Sequence, residues 1–430
     1  MRRRKLVEAS FHSSNGGKTL NKKVSLYFLP VLVVIYFVVC FRYIVSTTTM
    51  EDDLQNPVNV SYAAKGLTLN STISSVPEMR RCAVCLWGLP RAFESIVLPS
   101  LVKNMIVPNA KHQCDYFVHF YEKDHEEAGR SGAGGTMNAT EIYLLRDKVE
   151  EVARNLSMPV LPVVKFTSTT EENFWTKYHD LIEKLRNTKD ENGNLLYYPF
   201  NQKSYEFPKT MDNIVKMWHT IQSSWNLMDS FANENNIRYE QVAMIRSDVM
   251  YVTSVDIYDG GCKDNRCPIK NYYDLIVIYP LFQYPNGKVV IPGFSKWKRN
   301  DRMIYGPYDA VKIWSTTRFE SLDEHVQFIK GVRYGFGMHS ETFVEYNLLP
   351  KISSKGYRIV EHSHLCFFRV RVDESVWWDD CAVKALKTVA APFQSQTRKR
   401  KIIENILDRP CHGIFVSPLS NLTVLNCTIA

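Results

Sequence analysis

The chain has 430 residues, 45% of them hydrophobic and 23% charged, with 19 glycines and 19 prolines. Those values exclude a largely disordered chain and a collagen-like or low-complexity one, and no repeat at a solenoid period is present. The net charge of +8 is confined to the ends: residues 1–23 carry +6 and residues 386–430 carry +4, which leaves −2 for the rest, so the composition gives no support to a nucleic-acid-binding body.

Val24 to Phe41 runs for 18 residues without a charge, and Tyr43-Ile-Val45 extends it beyond Arg42. A helix of that length crosses the hydrocarbon core if Arg42 reaches back to the headgroups. Seven lysines and arginines precede it, and Glu51, Asp52 and Asp53 follow it. The positive side stays cytosolic, so the body is expected to be exported. A cleaved signal peptide would have a shorter apolar core and a small-x-small site, and here Arg42-Tyr43 follows instead. Six Asn-x-Ser/Thr sequons, at Asn59, Asn70, Asn138, Asn155, Asn421 and Asn426, all lie beyond the segment, as export requires. Nine cysteines lie outside it, enough for up to four bridges in an oxidising lumen. Cys82 and Cys85 form a C-x-x-C inside an apolar strand-like run, with no second pair at metal-ligand spacing, which argues against zinc and against a thioredoxin-like site.

Residues 46–78 are rich in Ser, Thr and Asn and read as a stem. Arg81–Gly88 then reads as a buried strand ending at a glycine turn, and Ala92–Met105 has helical spacing. Strands are expected over Cys114–Phe120 and Pro159–Phe166, and helices over Ala139–Leu156, Glu171–Arg186 and Thr210–Asn235. Tyr239–Val252 reads as a strand, a polar break at Arg246-Ser-Asp248, and a second short strand. Asp274–Pro280, Lys288–Pro292, Tyr357–Val360 and Leu365–Val370 are further strands, with helices over Gly306–Thr317 and Ser340–Leu349. This alternation predicts an α/β fold, a mixed sheet with helices on both faces. The tail from about Lys387 is basic and then apolar, and its pattern places no element.

Four segments carry candidate chemistry. In MIRSDVMYV an apolar strand delivers Arg246 and Asp248 to its carboxyl end, where open α/β sheets bind ligands. One carboxylate there can hold a divalent cation against a diphosphate, and Arg246 can contact phosphate or fix the carboxylate; a plain strand-end Arg–Asp pair is the bland reading. Asn300-Asp301-Arg302 precedes a helix, and capping accounts for it as well as ligand binding does. In Gly335-Phe-Gly-Met-His-Ser-Glu341, Ser340 reads as a helix cap and Glu341 as a candidate base aimed from a helix start. Glu361-His-Ser-His364 holds two histidines, His362 and His364, on one side of a strand. The phrase Trp87-Gly-Leu-Pro-Arg91 follows the first strand, and its Gly88 can bring a nucleotide close to the backbone or simply make a turn. Neither a GxxxxGK[ST] loop nor a G-x-S-x-G elbow occurs, which argues against P-loop enzymes and α/β hydrolases.

In their order, Asp248, Glu341 and then His362 or His364, these motifs resemble GT-A-fold glycosyltransferases. The chain is also similar, over roughly residues 80–385, to uncharacterised algal and plant type II membrane proteins of glycosyltransferase type, and to bacterial lipopolysaccharide-synthesis glycosyltransferases. Arg246-Ser-Asp248, Asn300-Asp-Arg302 and Phe368-Arg-Val-Arg371 carry that likeness. The resemblance implies a GT-A-like mixed sheet, a nucleotide-sugar donor and a glycan or glycoprotein acceptor. It implies Asp248 as ligand to a divalent metal, Mn2+, completed by His362 or His364. Arg246, Asn300 and Arg302 would then contact the donor, and Glu341 or Asp301 would be the base. One departure is plain: many such enzymes carry Asp-x-Asp where this chain has Arg246-Ser-Asp248. The expected plan is a cytosolic tail (1–23), an anchor (24–45), a stem (46–78), a catalytic domain (79–385) and a C-terminal tail (386–430), in a type II Golgi membrane protein. A glycan-binding protein on a degenerate transferase scaffold and a lumenal scaffold for partner enzymes are the other readings.

Overall fold

The computed structural model describes residues 78–128, 134–197, 206–259, 286–294, 299–322, 338–362, 365–377, 396–408, 412–416 and 423–426. The expected anchor, the stem up to residue 77, the strand over 274–280, Gly335 to Gly337 and His364 lie outside them. Among the described residues no helix is long and apolar enough to cross a membrane.

The strands, in chain order, are β1 (Glu78–Gly88), β2 (Cys114–Glu122), β3 (His125–Glu126), β4 (Gly135–Thr136), β5 (Val164–Thr170), β6 (Ile237–Arg246), β7 (Val249–Tyr251), β8 (Lys288–Pro292), β9 (Ile304–Pro307), β10 (Arg358–His362), β11 (Phe367–Val370), β12 (Ser375–Trp377), β13 (His412–Val416) and β14 (Thr423–Asn426). A seven-stranded sheet runs β10-β8-β9-β6-β1-β2-β5. All its strands are parallel except β9, which runs antiparallel to both neighbours.

The period-2 alternation of β1 splits the core in two. Cys82, Val84 and Leu86 face one cluster and Ala83, Cys85 and Trp87 the other, because successive strand side chains point to opposite faces. The central strands are buried on both faces and so read as near-continuous apolar runs.

The first helix, α1, is built from four consecutive pieces, Phe93–Val97, Leu98–Leu101, Val102–Ile106 and Val107–Ala110, the first and third of them π turns. It shares the first cluster with α2 (Leu144–Asn155). The second cluster is covered by α3 (Glu171–Asn187), α4 (Lys209–Glu234), α5 (Tyr308–Glu320) and α6, which runs through Ser340–Phe343, Val344–Leu348 and Leu349–Ser354. The mixed sheet between helical layers agrees with the sequence expectation.

Three features differ from it. The helix expected at Gly306 begins at Tyr308, because Gly306 and Pro307 belong to β9. Its Gly306 has φ 153°, and a Cβ there would lie 2.9 Å from the Lys288 carbonyl oxygen, so glycine lets β8 and β9 approach. The cap of α6 is His339, whose Nδ1 accepts from the Thr342 N–H, whereas Ser340 Oγ accepts from Trp218 Nε1 of α4. Finally, the residues read as a separate C-terminal tail join the body. Helix α7 (Gln396–Leu407) buries Ile403, Ile406 and Leu407 in the first cluster. Strands β13 and β14 extend a second sheet, β13-β14-β12-β11-β7.

Cys82 is disulfide-bonded to Cys114, its register partner on β2. Cys85, three residues on and facing the other cluster, is a buried thiol whose pKa burial drives upward, so the C-x-x-C is not a redox pair.

Candidate functional site

The chain builds β1, β2 and β5 outward on one side, then returns with β6 to the other side of β1. The carboxyl ends of β1 and β6 are therefore a topological switch point, where neighbouring connections leave in opposite directions and open a crevice. Trp87 and Arg246 are register partners there. The Trp87 carbonyl accepts from both the amide (3.0 Å) and the hydroxyl (3.2 Å) of Ser247, which locks the two strand ends together. Gly88 follows at φ 115°, which glycine alone adopts without strain, and turns the chain toward Arg91.

Asp248 is the centre of the crevice and is 1% exposed. Arg246 grips it with a two-pronged fork, Nε to Oδ1 at 2.7 Å and Nη2 to Oδ2 at 2.8 Å. Arg91 Nη1 also donates to Oδ2, while its Nε and Nη2 hold Glu126 of β3. The returning strand β11 brings Arg371: the Val370 amide donates to the Asp248 carbonyl at 2.9 Å, and Arg371 is buried beside the cluster. Burial opposes the Asp248 charge, but Arg246, Arg91 and Arg371 outweigh it and hold the carboxyl well below its ordinary range. Arg371 is pushed the other way: burial first, then Arg91, Arg369 and Arg246, disfavour its charge against the pull of Asp248. Among the described residues Arg246, Arg91 and Arg371 thus gather about Asp248 and Glu126.

A cavity of about 440 Å³ opens on this cluster, within the size range of small-molecule sites. Trp87, Arg91, Arg246 and Asp248 form one wall. The Arg246 guanidinium lies 5.2 Å from the Trp87 ring centre, and the Trp87 indole N–H is buried without a hydrogen-bond partner. The first turns of α4, with Lys209, Asn213 and Met217, form the facing wall. Most charges around it are paired: Lys209 with Glu127, and Lys123 and Lys216 both with Glu171. Among the described residues Glu206 is the wall carboxylate outside any ion pair.

Beneath the cavity lies a buried polar seam. The Thr220 hydroxyl donates to the His119 carbonyl and accepts from His119 Nδ1 (2.6 Å), which leaves Nε2 to accept from Thr169 (2.9 Å). This pattern fits a neutral imidazole. Tyr121 is bonded to His219 Nδ1 at 2.8 Å in the same layer.

Of the sequence-derived candidates among the described residues, only some come together. Arg246 and Asp248 meet in the crevice, and the Phe368–Arg371 motif joins them through Arg371. Asn300 is a structural residue: its Nδ2 donates to the Phe294 carbonyl and its Oδ1 accepts the Arg302 amide. Asp301 is buried near Arg318 of α5. Neither they, nor Arg302, nor Glu341, which is half-buried in the first turn of α6, line the cavity. His362 ends β10, three strand spacings from β6, about 14 Å of sheet. Arg91 and Glu126 were not singled out from sequence. Arg91 had a weak signal in the glycine turn after the first strand; Glu126 had none.

The expected metal does not fit these residues. Both oxygens of Asp248 already accept guanidinium N–H groups, and His362 is too far away to share an ion bound at ordinary ligand distances. A unit charge about 4 Å from a guanidinium at a partly buried site is repelled by about 4 kcal/mol, and a divalent ion doubles that. Among the described residues no group of three or more His, Cys, Asp or Glu gathers that could hold a metal.

No family model and no curated protein sequence matches the chain. Among solved structures, mouse xyloside xylosyltransferase 1 in its apo form is similar at 11% identity, covering 66% of this chain and 86% of that one, with a TM-score of 0.28. That score is below the level at which two chains share a topology, so the functional reading rests on the site's own geometry.

Proposed function

We propose that the chain is a glycosyltransferase that binds a nucleotide-sugar donor in the crevice between β1 and β6 and transfers its sugar to a glycan or glycoprotein acceptor. The observation that carries this reading is a cavity of about 440 Å³ at the switch point, with Arg91 and Arg246 in its wall and Arg371 beside them. Guanidinium forks match phosphate oxygens, and the Trp87 face and its spare N–H suit a base or sugar ring. In the reaction an acceptor hydroxyl oxygen bonds to the anomeric carbon, the bond from that carbon to the diphosphate oxygen breaks, and its electron pair leaves with the diphosphate. The hydroxyl proton passes to a carboxylate. Glu206 takes that role in place of Glu341 and Asp301, since it faces the cavity and they do not. The anchor over 24–45, the stem and the sequons support a type II Golgi protein with this domain in the lumen.

The test is a thermal-shift screen of nucleoside diphosphates on the full-length chain in detergent. One nucleotide should raise Tm, and a hundredfold excess over Kd corresponds to about 2.7 kcal/mol. Arg246→Gln should remove the shift. If glycans shift Tm and no nucleotide does, the chain is a glycan-binding protein; the paired state of Asp248 is the feature that favours that second reading. No shift with either would sink both.

A further inference from the structure

Asp248 occupies the position from which an aspartate would hold a metal against a diphosphate, yet it is enclosed by arginines. Its two oxygens accept three guanidinium N–H groups, two from Arg246 and one from Arg91. Only 1% of its side-chain surface is exposed, against 18% for Arg246 and 10% for Arg91. A ligand entering the cavity therefore meets guanidinium groups before it meets the carboxylate.

We propose that the donor's diphosphate is neutralised in this crevice by Arg91, Arg246 and Arg371, with Asp248 as their internal counter-ion, and that no divalent cation takes part in donor binding. The inference rests on the reading of the crevice as the donor site. Three observations carry it. The first is coordination: the carboxylate that would hold the ion has both oxygens engaged, and Glu126, the other acid in the cluster, is held by two nitrogens of Arg91. The second is charge: among the described residues Arg91 and Arg246 present their guanidinium groups in the cavity wall while Asp248 is shielded behind them, so an entering anion meets opposite charge and an entering cation like charge. Arg371 lies beside them, its charge disfavoured first by burial and then by Arg91, Arg369 and Arg246. The third is geometry: Arg246 is fixed by Asp248 on one side and by the Trp87 ring on the other, so its planar fork is held in place before a phosphate arrives. Asp248 thus orients the arginines and does not itself contact the donor.

The experiment is titration calorimetry on the full-length chain in detergent, with inorganic pyrophosphate and with uridine and guanosine diphosphates as probes. Each is run in excess EDTA and again with manganese in place of EDTA. At least one probe should bind in EDTA, with a Kd within about twofold of its value in manganese. Arg246→Lys keeps the charge but loses the fork, and should weaken binding about tenfold while its melting temperature shows it folded. Arg246→Asp rebuilds a two-carboxylate motif and should make whatever binding remains manganese-dependent. Binding that vanishes in EDTA and returns with manganese overturns the inference and leaves the donor-site reading intact. Metal-insensitive binding that Arg246→Lys does not weaken overturns the assignment to guanidinium groups. No binding of any probe under either condition overturns both the inference and the donor site.

Discussion

Asp248 carries a negative charge at a depth where a carboxylate persists only with partners, and it has Arg246, Arg91 and Arg371. This changes what its removal does. Asp248→Ala strands buried guanidinium groups beside one another and should cost about 3–5 kcal/mol of stability, read as a lower midpoint in urea. Asp248→Asn keeps one acceptor oxygen and replaces the other with an NH2 donor, and should cost less. An Asp248→Ala chain as stable as wild type would mean that the arginines have other partners. Arg246 and Asp248 were legible because both belong to one apolar strand end, a pattern confined to nine consecutive residues. Arg91 and Glu126 were not, since they come to Asp248 from 157 and, through Arg91, 35 positions away in sequence. Nothing in a local window encodes such a pairing.

Helical periodicity located most elements and missed how two of them survive their three prolines. Pro99 and Pro108 in α1 and Pro350 in α6 each occupy the second residue of an α segment that follows a five-residue π turn. Proline lacks an N–H and its ring collides with the carbonyl four residues back; the wider turn moves that carbonyl away, so the helix continues where the residue type predicts a stop. The joint between β2 and α4 has a pH consequence. Burial lowers the pKa of His119 from 6.5 to about 3, with His219 adding to it, and lowers that of His219 from 6.5 to about 4, with Lys177 adding. The unfolded chain then takes up protons first between pH 6.5 and about 4, so stability is complete above 6.5 and falls as pH drops through that window. The loss should be on the order of 1.4 kcal/mol per pH unit for each ring. A melting series should show Tm falling from pH 6.5 downward, and His119→Asn should flatten it. Asp248 has the opposite timing: its depressed pKa keeps its contribution whole down to its ordinary value of 3.8, and only stronger acid removes it. A Tm that holds steady until the carboxylates titrate would discard the histidine account.

For the whole molecule, the segment from Gln396 onward matters more than its composition suggests. Ile403, Ile406 and Leu407 are buried against the first core cluster, and Lys103 of α1 donates to the Asn405 carbonyl. Strands β13 and β14 pair onto β12, which pairs with β11, the strand that carries Arg371 toward Asp248. Burying three aliphatic side chains is worth about 5 kcal/mol in total, a large part of an ordinary domain's net stability. Truncation after residue 395 should therefore lower the urea midpoint sharply and weaken nucleotide binding together with it. A truncated chain with wild-type stability and binding would return this segment to the status of a tail. The Arg398–Lys401 run lies in the first turns of α7, and the buried Ile403, Ile406 and Leu407 follow it in the same helix.

Local pattern was enough for the alternation of strands and helices, for the apolar central strands and for the polar break at Arg246-Ser-Asp248. Each of these is written in side-chain period and backbone preference over a few residues. It was not enough for the switch point, for the Cys82–Cys114 bridge in place of a C-x-x-C pair, or for the ring of arginines that makes Asp248 a counter-ion. Those depend on which strands become neighbours. Strand order follows from burying two opposite faces of one sheet at once, a condition set by residues hundreds of positions apart and satisfied only when the whole chain has folded.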